Sequence, residues 1–299
     1  MTARVTQSML ASNFLNNLSK NYQKLATDQQ QLSSGKKINR LSDDPLSAMK
    51  GISYRRTVNE IKQFESNFSE ADTWTQTTND ALSEANDVLQ RVRELTVEAS
   101  NGTLTDSDKQ SITDELGQLR DQLVTVANTK VGDKYIFNGT DTTNKPISVD
   151  ASTIGTTTTL NINNQPVKIE LSKGIYLQVN ADGSQAFSNS LFSDLNSLIS
   201  DLNSDSPSQP IDSYLSKIDA HTDDILTQLS LTGARSNRID FMRNLVSQQE
   251  DTASEIMSNN EDADIPAVYT QFSQDQSVYT AALKIGAQVI QPSLVDFLK

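Results

Sequence analysis

His221 is the only imidazole that this chain of 299 residues could use in catalysis or metal binding. The sequence contains no cysteine, so it offers no thiolate ligand and no disulfide bond. A transition-metal site needs several imidazole or thiolate ligands close together, which one histidine cannot supply. We therefore predict no metal site and no catalytic role for His221, and a surface position on a polar helix face.

A partial calcium-binding pattern precedes a proline-containing loop. Its oxygen-bearing side chains occupy positions 1, 3, 5 and 12 of an EF-hand loop, and they are Asp201, Asn203, Asp205 and Asp212. Such a loop needs glycine at its sixth position, whereas this chain has Ser206 followed by Pro207. The pattern does not predict a calcium site.

Adjacent carboxylates occur at Asp43-Asp44, Asp223-Asp224 and Glu261-Asp262, and paired acids can perform acid–base catalysis. Each pair lies beside a predicted helix start or on a predicted polar helix face. Helix capping and solvation explain acidic residues in both places. We predict no catalytic residue, no bound cofactor and no metal site.

A basic cluster formed by Lys36, Lys37 and Arg40 follows the first predicted helix. A solvated loop would explain this cluster without any function. It would also suit contact with an acidic neighbouring subunit, and the segment 261–264 has the complementary charge. Exposed ion pairs contribute only about 0–1 kcal/mol each, so such a contact would fix register more than it would add strength.

The overall composition argues against several classes of protein. A net charge of −13 would repel nucleic acid. No apolar run approaches the roughly 20 residues of a membrane-spanning helix, and no apolar core of a secretory signal follows Arg4. Low hydrophobic (35%) and aromatic (6%) contents favour thin helical bundles over a globular enzyme. We expect neither nucleic-acid binding nor membrane insertion.

Two stretches, one near each end of the chain, carry apolar residues at alternating three- and four-residue steps. This spacing puts them on one narrow stripe of a helix, as in coiled coils. Each helix has little other apolar surface, so it needs a partner helix in water. The predicted assembly seam comprises Leu15, Leu18, Tyr22, Leu25 and Leu32, then Val268, Phe272, Tyr279, Leu283 and Ile290, with Leu294 and Leu298 in an apolar tail.

Further elements are predicted from periodicity and from capping residues. The first helix ends at Gly35, and the next covers 46–100 with a candidate break near 72–79. A capping box of Thr105 and Asp108 opens a third helix, which ends near Asn128. Other helices are predicted over 191–202, 211–259 and 266–291. The segment 138–188 is rich in Thr, Val and Ile between turn residues, which is typical of strands.

These elements predict a mainly α fold. Both chain ends form a long antiparallel helical bundle or coiled coil, and a small β-rich domain is inserted in the middle. The predicted domains are a terminal coiled coil (1–45 and 260–299), a helical bundle (46–137 and 189–259) and an inserted β-domain (138–188).

Several motifs resemble those of the flagellin family. The N-terminal signature is similar to 32–39 (LSSGKKIN) followed by Asp43-Asp44, and the C-terminal signatures are similar to 231–238 (LTGARSNR) and 261–264 (EDAD). Three features resemble the members that join the flagellar hook to the filament. These are Asp43-Asp44-Pro45, the segment 133–140 (DKYIFNGT) and the ending at 291–298 (QPSLVDFL). The resemblance covers about 1–140 and 190–299.

The resemblance implies a structural protein of the bacterial flagellum, secreted to the cell exterior without a cleaved signal and assembled through its terminal helices. The implied place is the junction of hook and filament, and the alternative is a flagellin subunit of the filament itself. Implied partners are other copies of the chain in a ring-like homo-oligomer, the hook-side junction protein, flagellin and a cytoplasmic export chaperone. An enzyme or sensor domain would instead need a pocket of converging polar residues, and no motif predicts one.

Overall fold

The computed structural model describes residues 7–101, 104–149, 158–204 and 206–290, and most of them are helical. The helices are α1 (Gln7–Ser34), α2 (Pro45–Ala99), α3 (Asp106–Ala127), α4 (Gly183–Ala186), α5 (Asn189–Leu202), α6 (Ser213–Glu261) and α7 (Ile265–Ile290). The strands are β1 (Lys130–Val131), β2 (Lys134–Tyr135), β3 (Ile147–Val149), β4 (Thr158–Leu160), β5 (Lys168–Ser172) and β6 (Ile175–Gln178). The predicted mainly α fold with a β-rich region in mid-chain is confirmed.

Helix starts follow the capping residues that the sequence contains. The Asp44 carboxylate accepts hydrogen bonds from the backbone amides of Leu46 (3.1 Å) and Ser47 (3.2 Å), and Pro45 begins α2. The Ser47 hydroxyl also donates to this carboxylate, and these hydrogen bonds lower the pKa of Asp44. Thr105 and Asp108 form the predicted capping box of α3.

The predicted break in α2 near 72–79 is wrong, because the helix is continuous from Pro45 to Ala99. Trp74 in this stretch is buried, with 2% of its surface exposed. The hydroxyls of Thr75 and Thr78 donate to the carbonyls of Ala71 (2.5 Å) and Trp74 (2.8 Å). These two threonine hydroxyls, which dilute the apolar pattern, are therefore satisfied within the helix itself.

The strands form three separate antiparallel pairs among the described residues, β1–β2, β3–β4 and β5–β6. The β1–β2 hairpin turns at Gly132 and precedes the predicted β segment, while β5–β6 turns at Gly174. Both glycines have positive φ (58° and 76°), which β-carbon sterics disfavour in other residues. Asn128 at the end of α3 exchanges hydrogen bonds with the backbone of Ile147, so β3 is fixed to the helices.

The chain divides into two compact units. Unit 1 comprises 1–60 and 250–299, and unit 2 comprises 61–249. Unit 2 contains a large apolar core, with Trp74, Phe137 and Tyr214 among its fully buried side chains. In the described part of unit 1, Val58 is the one apolar residue larger than glycine that is buried. The three predicted domains remain a prediction.

In unit 2 the helices α2 and α6 pack antiparallel, joined by ion pairs of Arg93 with Asp219 (2.7 Å) and of Arg243 with Asp72. Among the described residues, no helix combines the length and the apolar character that a membrane span requires.

Candidate assembly surface

The first and last described helices, α1 and α7, pack against each other in unit 1. They run antiparallel, because Tyr22 meets Tyr279 with a ring separation of 6.0 Å, whereas Lys36 lies beside Asp262. Six residues of the predicted seam are half-buried in unit 1: Leu18, Leu25, Leu32, Val268, Phe272 and Tyr279. The structure thus brings together the two halves of the predicted seam, which are separated by most of the chain.

Phe14 and Gly286 make a close contact that the sequence prediction missed. A Cβ atom on Gly286 would lie 2.6 Å from the Phe14 ring, so a larger residue would displace this ring. Phe14 precedes the predicted Leu15 by one position, and both fit a seam spacing. Gly286 lies on the predicted apolar face of α7, and a glycine at such a position was the signal that a large side chain approaches the backbone.

Other predicted seam residues remain exposed. Leu15, Tyr22 and Leu283 expose 57%, 61% and 46% of their surfaces. The large apolar side chains that α1 and α7 leave exposed, here called the outer residues, are Met9, Leu10, Leu15, Tyr22, Ile265, Tyr269, Val278, Leu283 and Ile285. The side chain of Ile290, and Leu294 and Leu298 entirely, lie outside the described residues.

Asp28 is a polar interruption in the α1–α7 pair. Its Oδ2 atom is buried, and no hydrogen bond to it is present among the described residues. Burial, and next the negative charge of Asp275 on α7, raise the pKa of Asp28, which Lys24 partly offsets. Two facing carboxylates weaken the α1–α7 pair when both are ionised, since like charges repel. The pair is therefore less stable than its apolar residues alone would make it.

Glu261 organises the place where α1, α2 and α6 come together in unit 1. Only 3% of its surface is exposed, and its Oε1 accepts a hydrogen bond from Arg55 Nε at 2.7 Å. Lys36 Nζ lies 3.7 Å from Glu261 Oε2 and 2.5 Å from Asp262 Oδ1. Gly51 of α2 leaves the space that the Glu261 carboxylate occupies.

Backbone hydrogen bonds also join the loop after α1 to the end of α6. The amide of Lys37 donates to the Glu261 carbonyl (2.6 Å), and the amide of Ala263 donates to the Gly35 carbonyl (3.0 Å). For Lys36, the acidic partners Glu261 and Asp262 belong to the same chain. A contact of the basic cluster with a neighbouring subunit stays a prediction. Lys36, followed by Ser258, lowers the pKa of Asp262 through hydrogen bonds to its carboxylate.

His221 is buried rather than on the surface, which corrects the sequence prediction. Its Nε2 lies 3.0 Å from Asp194 Oδ2 on α5, and Lys217 Nζ lies 3.0 Å from the other oxygen of that carboxylate. Asp194 is 27 residues away in sequence, so the sequence did not identify this partner. The spacing did indicate a buried position, because His221 lies three residues after Ile218 and four before Ile225, which are both buried. Within the described ranges, no group of three or more metal-binding side chains forms a metal site.

The acids of the calcium-like pattern have a structural role. Asp201 is 6% exposed and accepts hydrogen bonds from the amides of Ser208 (2.9 Å) and Gln209 (3.2 Å) and from the Tyr214 hydroxyl (2.8 Å). The amide of Ser208 contributes most to a lowered pKa of Asp201. Asp205 lies outside the described residues.

Comparison with known proteins finds similarity to bacterial flagellins. A model of the bacterial flagellin N-terminal helical region matches residues 5–142. The flagellin of Bacillus subtilis is 28% identical over 302 aligned positions, which cover 96% of both chains. The flagellin of Clostridium tyrobutyricum is 35% identical over 125 positions, which cover 42% of this chain and 33% of that protein.

Solved structures share the fold at low sequence identity. A flagellar hook-associated protein from Vibrio parahaemolyticus is 22% identical, with a TM-score of 0.67 over 74% of this chain and 100% of that one. FlgL from Xanthomonas campestris is 18% identical, with a TM-score of 0.60 over 69% and 99% of the two chains. The flagellar junction protein FlgL from Legionella pneumophila is 16% identical, with a TM-score of 0.56 over 71% and 99%. With its terminal signatures, paired end helices and shared fold, the chain is similar to flagellins and to hook-associated proteins of the bacterial flagellum.

Proposed function

We propose that this protein joins the flagellar hook to the filament. The observation that supports the proposal best is the fold, which matches a hook-associated protein and two junction proteins over 99–100% of their chains. Three sequence features resemble the same members: Asp43-Asp44-Pro45, the segment 133–140 and the ending at 291–298.

The segment 133–140 has a geometry that few sequences tolerate. Gly139 has a φ of +49°, and a Cβ there would lie 2.4 Å from the Asn163 carbonyl oxygen. The preceding Asn138 is fully buried and accepts a hydrogen bond from the Asn163 amide (2.7 Å). The Asn-Gly pair therefore fixes how the chain leaves the helices for the β-rich region, and it supports the likeness at this segment.

Assembly follows from the α1–α7 pair. The half-buried seam residues hold the two ends of one copy together, and the outer residues contact neighbouring copies, which removes their apolar surfaces from water. The proposed partners are other copies in a ring, the hook-side junction protein on one side and flagellin on the other. We also propose that an export chaperone covers α7 before assembly. The assembled protein then lies outside the cell, on the flagellum.

Negative-stain imaging of cells that lack this protein tests the proposed place. We expect hooks without filaments, with flagellin released into the medium, because the filament then has no junction on which to start. Filaments of normal length and number on these hooks would refute the junction function.

A filament subunit is the second candidate, favoured by the full-length alignment with Bacillus subtilis flagellin. Quantitative mass spectrometry of isolated flagella separates the two. A junction protein is present in a copy number close to that of the hook-side components, whereas a filament subunit is the most abundant protein and its loss releases no flagellin.

A further inference from the structure

A pocket of about 160 Å³ lies in unit 1, between the loop after α1, the first turns of α2 and the end of α6. One wall is apolar, and the rest carries charge. The lining residues that matter here are Ile38, Arg40, Leu41, Ile52, Arg55 and Glu261. The volume fits one large side chain rather than a folded domain.

The acidic residue of this pocket has cationic partners, whereas the guanidinium of Arg40 has no anionic partner among the described residues. Glu261 is neutralised by Arg55 and approached by Lys36. Arg40 has its backbone amide held by the Asp43 carboxylate at 2.9 Å, but its guanidinium has no ion pair or hydrogen bond to any described residue. A guanidinium beside an apolar wall suits a carboxylate that is flanked by an apolar side chain, because planar donors bind carboxylates strongly.

The chain itself contains few segments of that chemistry. Three acidic residues have a large apolar residue on both sides, and they are Glu170, Asp240 and Asp296. Glu170 accepts a hydrogen bond from the Gly174 amide (2.8 Å), and Asp240 lies 3.6 Å from Arg243. Asp296, between a valine and a phenylalanine, lies beyond α7 and is the one that the described fold does not use.

Asp296 cannot enter the pocket of its own chain. The pocket lies beside the start of α7, and the 26 residues of this helix extend ~39 Å away from it. Asp296 is six positions beyond Ile290 (296 − 290), and six residues reach back at most ~22 Å. The occupant must therefore come from a second copy, in a head-to-tail contact that generates rings or helical assemblies.

We propose that the segment 291–299 of one copy binds the Arg40 pocket of a second copy, with Asp296 paired to Arg40 and an adjacent apolar side chain against Ile38, Leu41 and Ile52. This contact deepens the proposed function, on which it rests for the head-to-tail placement of copies. The outer residues contact neighbouring copies through the helices α1 and α7. The proposed contact is a second one, in which the end of one copy meets the α1–α2 loop of the next.

A fluorescently labelled peptide of residues 291–299 tests the contact by anisotropy. The purified full chain carries Asp296→Asn, so that the same segment of other copies in the sample does not compete. We expect saturable binding that weakens about tenfold or more with Arg40→Ala, or with Asp296→Asn in the peptide. Binding should also weaken as salt is added. Arg56→Ala is the matched control, because Arg56 is an exposed neighbour that pairs with Glu60 outside the pocket.

Exchange of the charges completes the test. The Arg40→Asp protein should reject the native peptide and bind a peptide that carries Asp296→Arg. Absence of saturable binding, or equal binding by the Arg40→Ala chain with unchanged circular dichroism, overturns the proposal. This assay and the imaging of flagella fail independently, since a junction protein without this contact still gives hooks without filaments.

Discussion

At the scale of single residues, buried polar groups fix the irregular parts of this chain. The Asp201 carboxylate stabilises the loop after α5, because it accepts hydrogen bonds from two backbone amides and from the Tyr214 hydroxyl. The sequence predicted a loop at this place, but it could not identify the atoms that Asp201 binds. Hydrogen bonds to the ionised carboxylate lower the pKa of Asp201, and their loss has a definite dependence on pH.

Asp201→Asn should lower the free energy of unfolding at pH 7 by about 1–3 kcal/mol, because a buried hydrogen-bond network loses its charge. The folded pKa of Asp201 lies below the unfolded value of about 3.9. Its contribution is therefore present above ~pH 4 and is lost as pH falls through the folded pKa. Urea unfolding of both proteins from pH 7 to pH 3 measures this. Asp212→Asn, at an exposed position, is the control, and a difference that does not shrink in acid would contradict the assignment.

Gly183→Ala tests a close backbone approach in unit 2. A Cβ at Gly183 would lie 2.2 Å from the Phe137 carbonyl oxygen, so the backbone must move. We expect a loss of about 1–3 kcal/mol in the free energy of unfolding. Gly233→Ala is the matched control, because no atom lies within 4 Å of its added Cβ. The control should gain about 1 kcal/mol from helix propensity, and equal melting temperatures for the two variants would show that the approach is not tight.

At the scale of elements, periodicity and caps predicted the helices well because both are local. The capping box at Thr105 and the glycine after α1 set boundaries that no distant residue alters. Contacts between elements were harder to predict. Phe14 and Leu15 are both compatible with a seam, and only the position of Gly286 on the partner helix decides which of them is covered. His221 was placed on the surface because it is polar, although its spacing from Ile218 and Ile225 puts it on the buried face of α6. Its partner Asp194 comes from another helix and could not be predicted.

Two substitutions separate pairing within a copy from contact between copies. Leu25 is half-buried in unit 1, so Leu25→Asp should break the α1–α7 pair and abolish assembly. Leu15 is 57% exposed, so Leu15→Asp should leave the pair intact and still prevent assembly. Hydrogen exchange of α1 amides in the monomer reports the pair, and complementation of filament growth reports assembly. Filaments of normal length with Leu15→Asp would remove the outer residues from the proposed interface.

At the scale of the whole molecule, apolar burial is uneven between the two units. Nearly all buried apolar side chains belong to unit 2, whereas the described part of unit 1 contributes Val58. Burying one large apolar side chain contributes roughly 1.5–3 kcal/mol, and ordering each residue costs about 1–2 kcal/mol. The residues of unit 1 should therefore open far more often than those of unit 2.

Limited proteolysis of the purified monomer should leave a resistant fragment close to residues 61–249. The ends of the fragment, determined by mass spectrometry, are expected within the long helices α2 and α6. Protease resistance of α1 and α7 equal to that of α3 in a verified monomer would contradict this expectation.

The pairing of α1 with α7 also determines the order in which parts of the chain can fold. A chain that is synthesised, or passed through a channel, from one end to the other presents its first and last helices at very different times. Unit 2 is encoded between them, so its core can condense while one partner of the terminal pair is still missing. Closing the longest loop in the molecule comes last. The surface through which copies assemble is therefore finished only when the last helix, α7, has emerged, and a chain interrupted before α7 has a folded centre but cannot complete it.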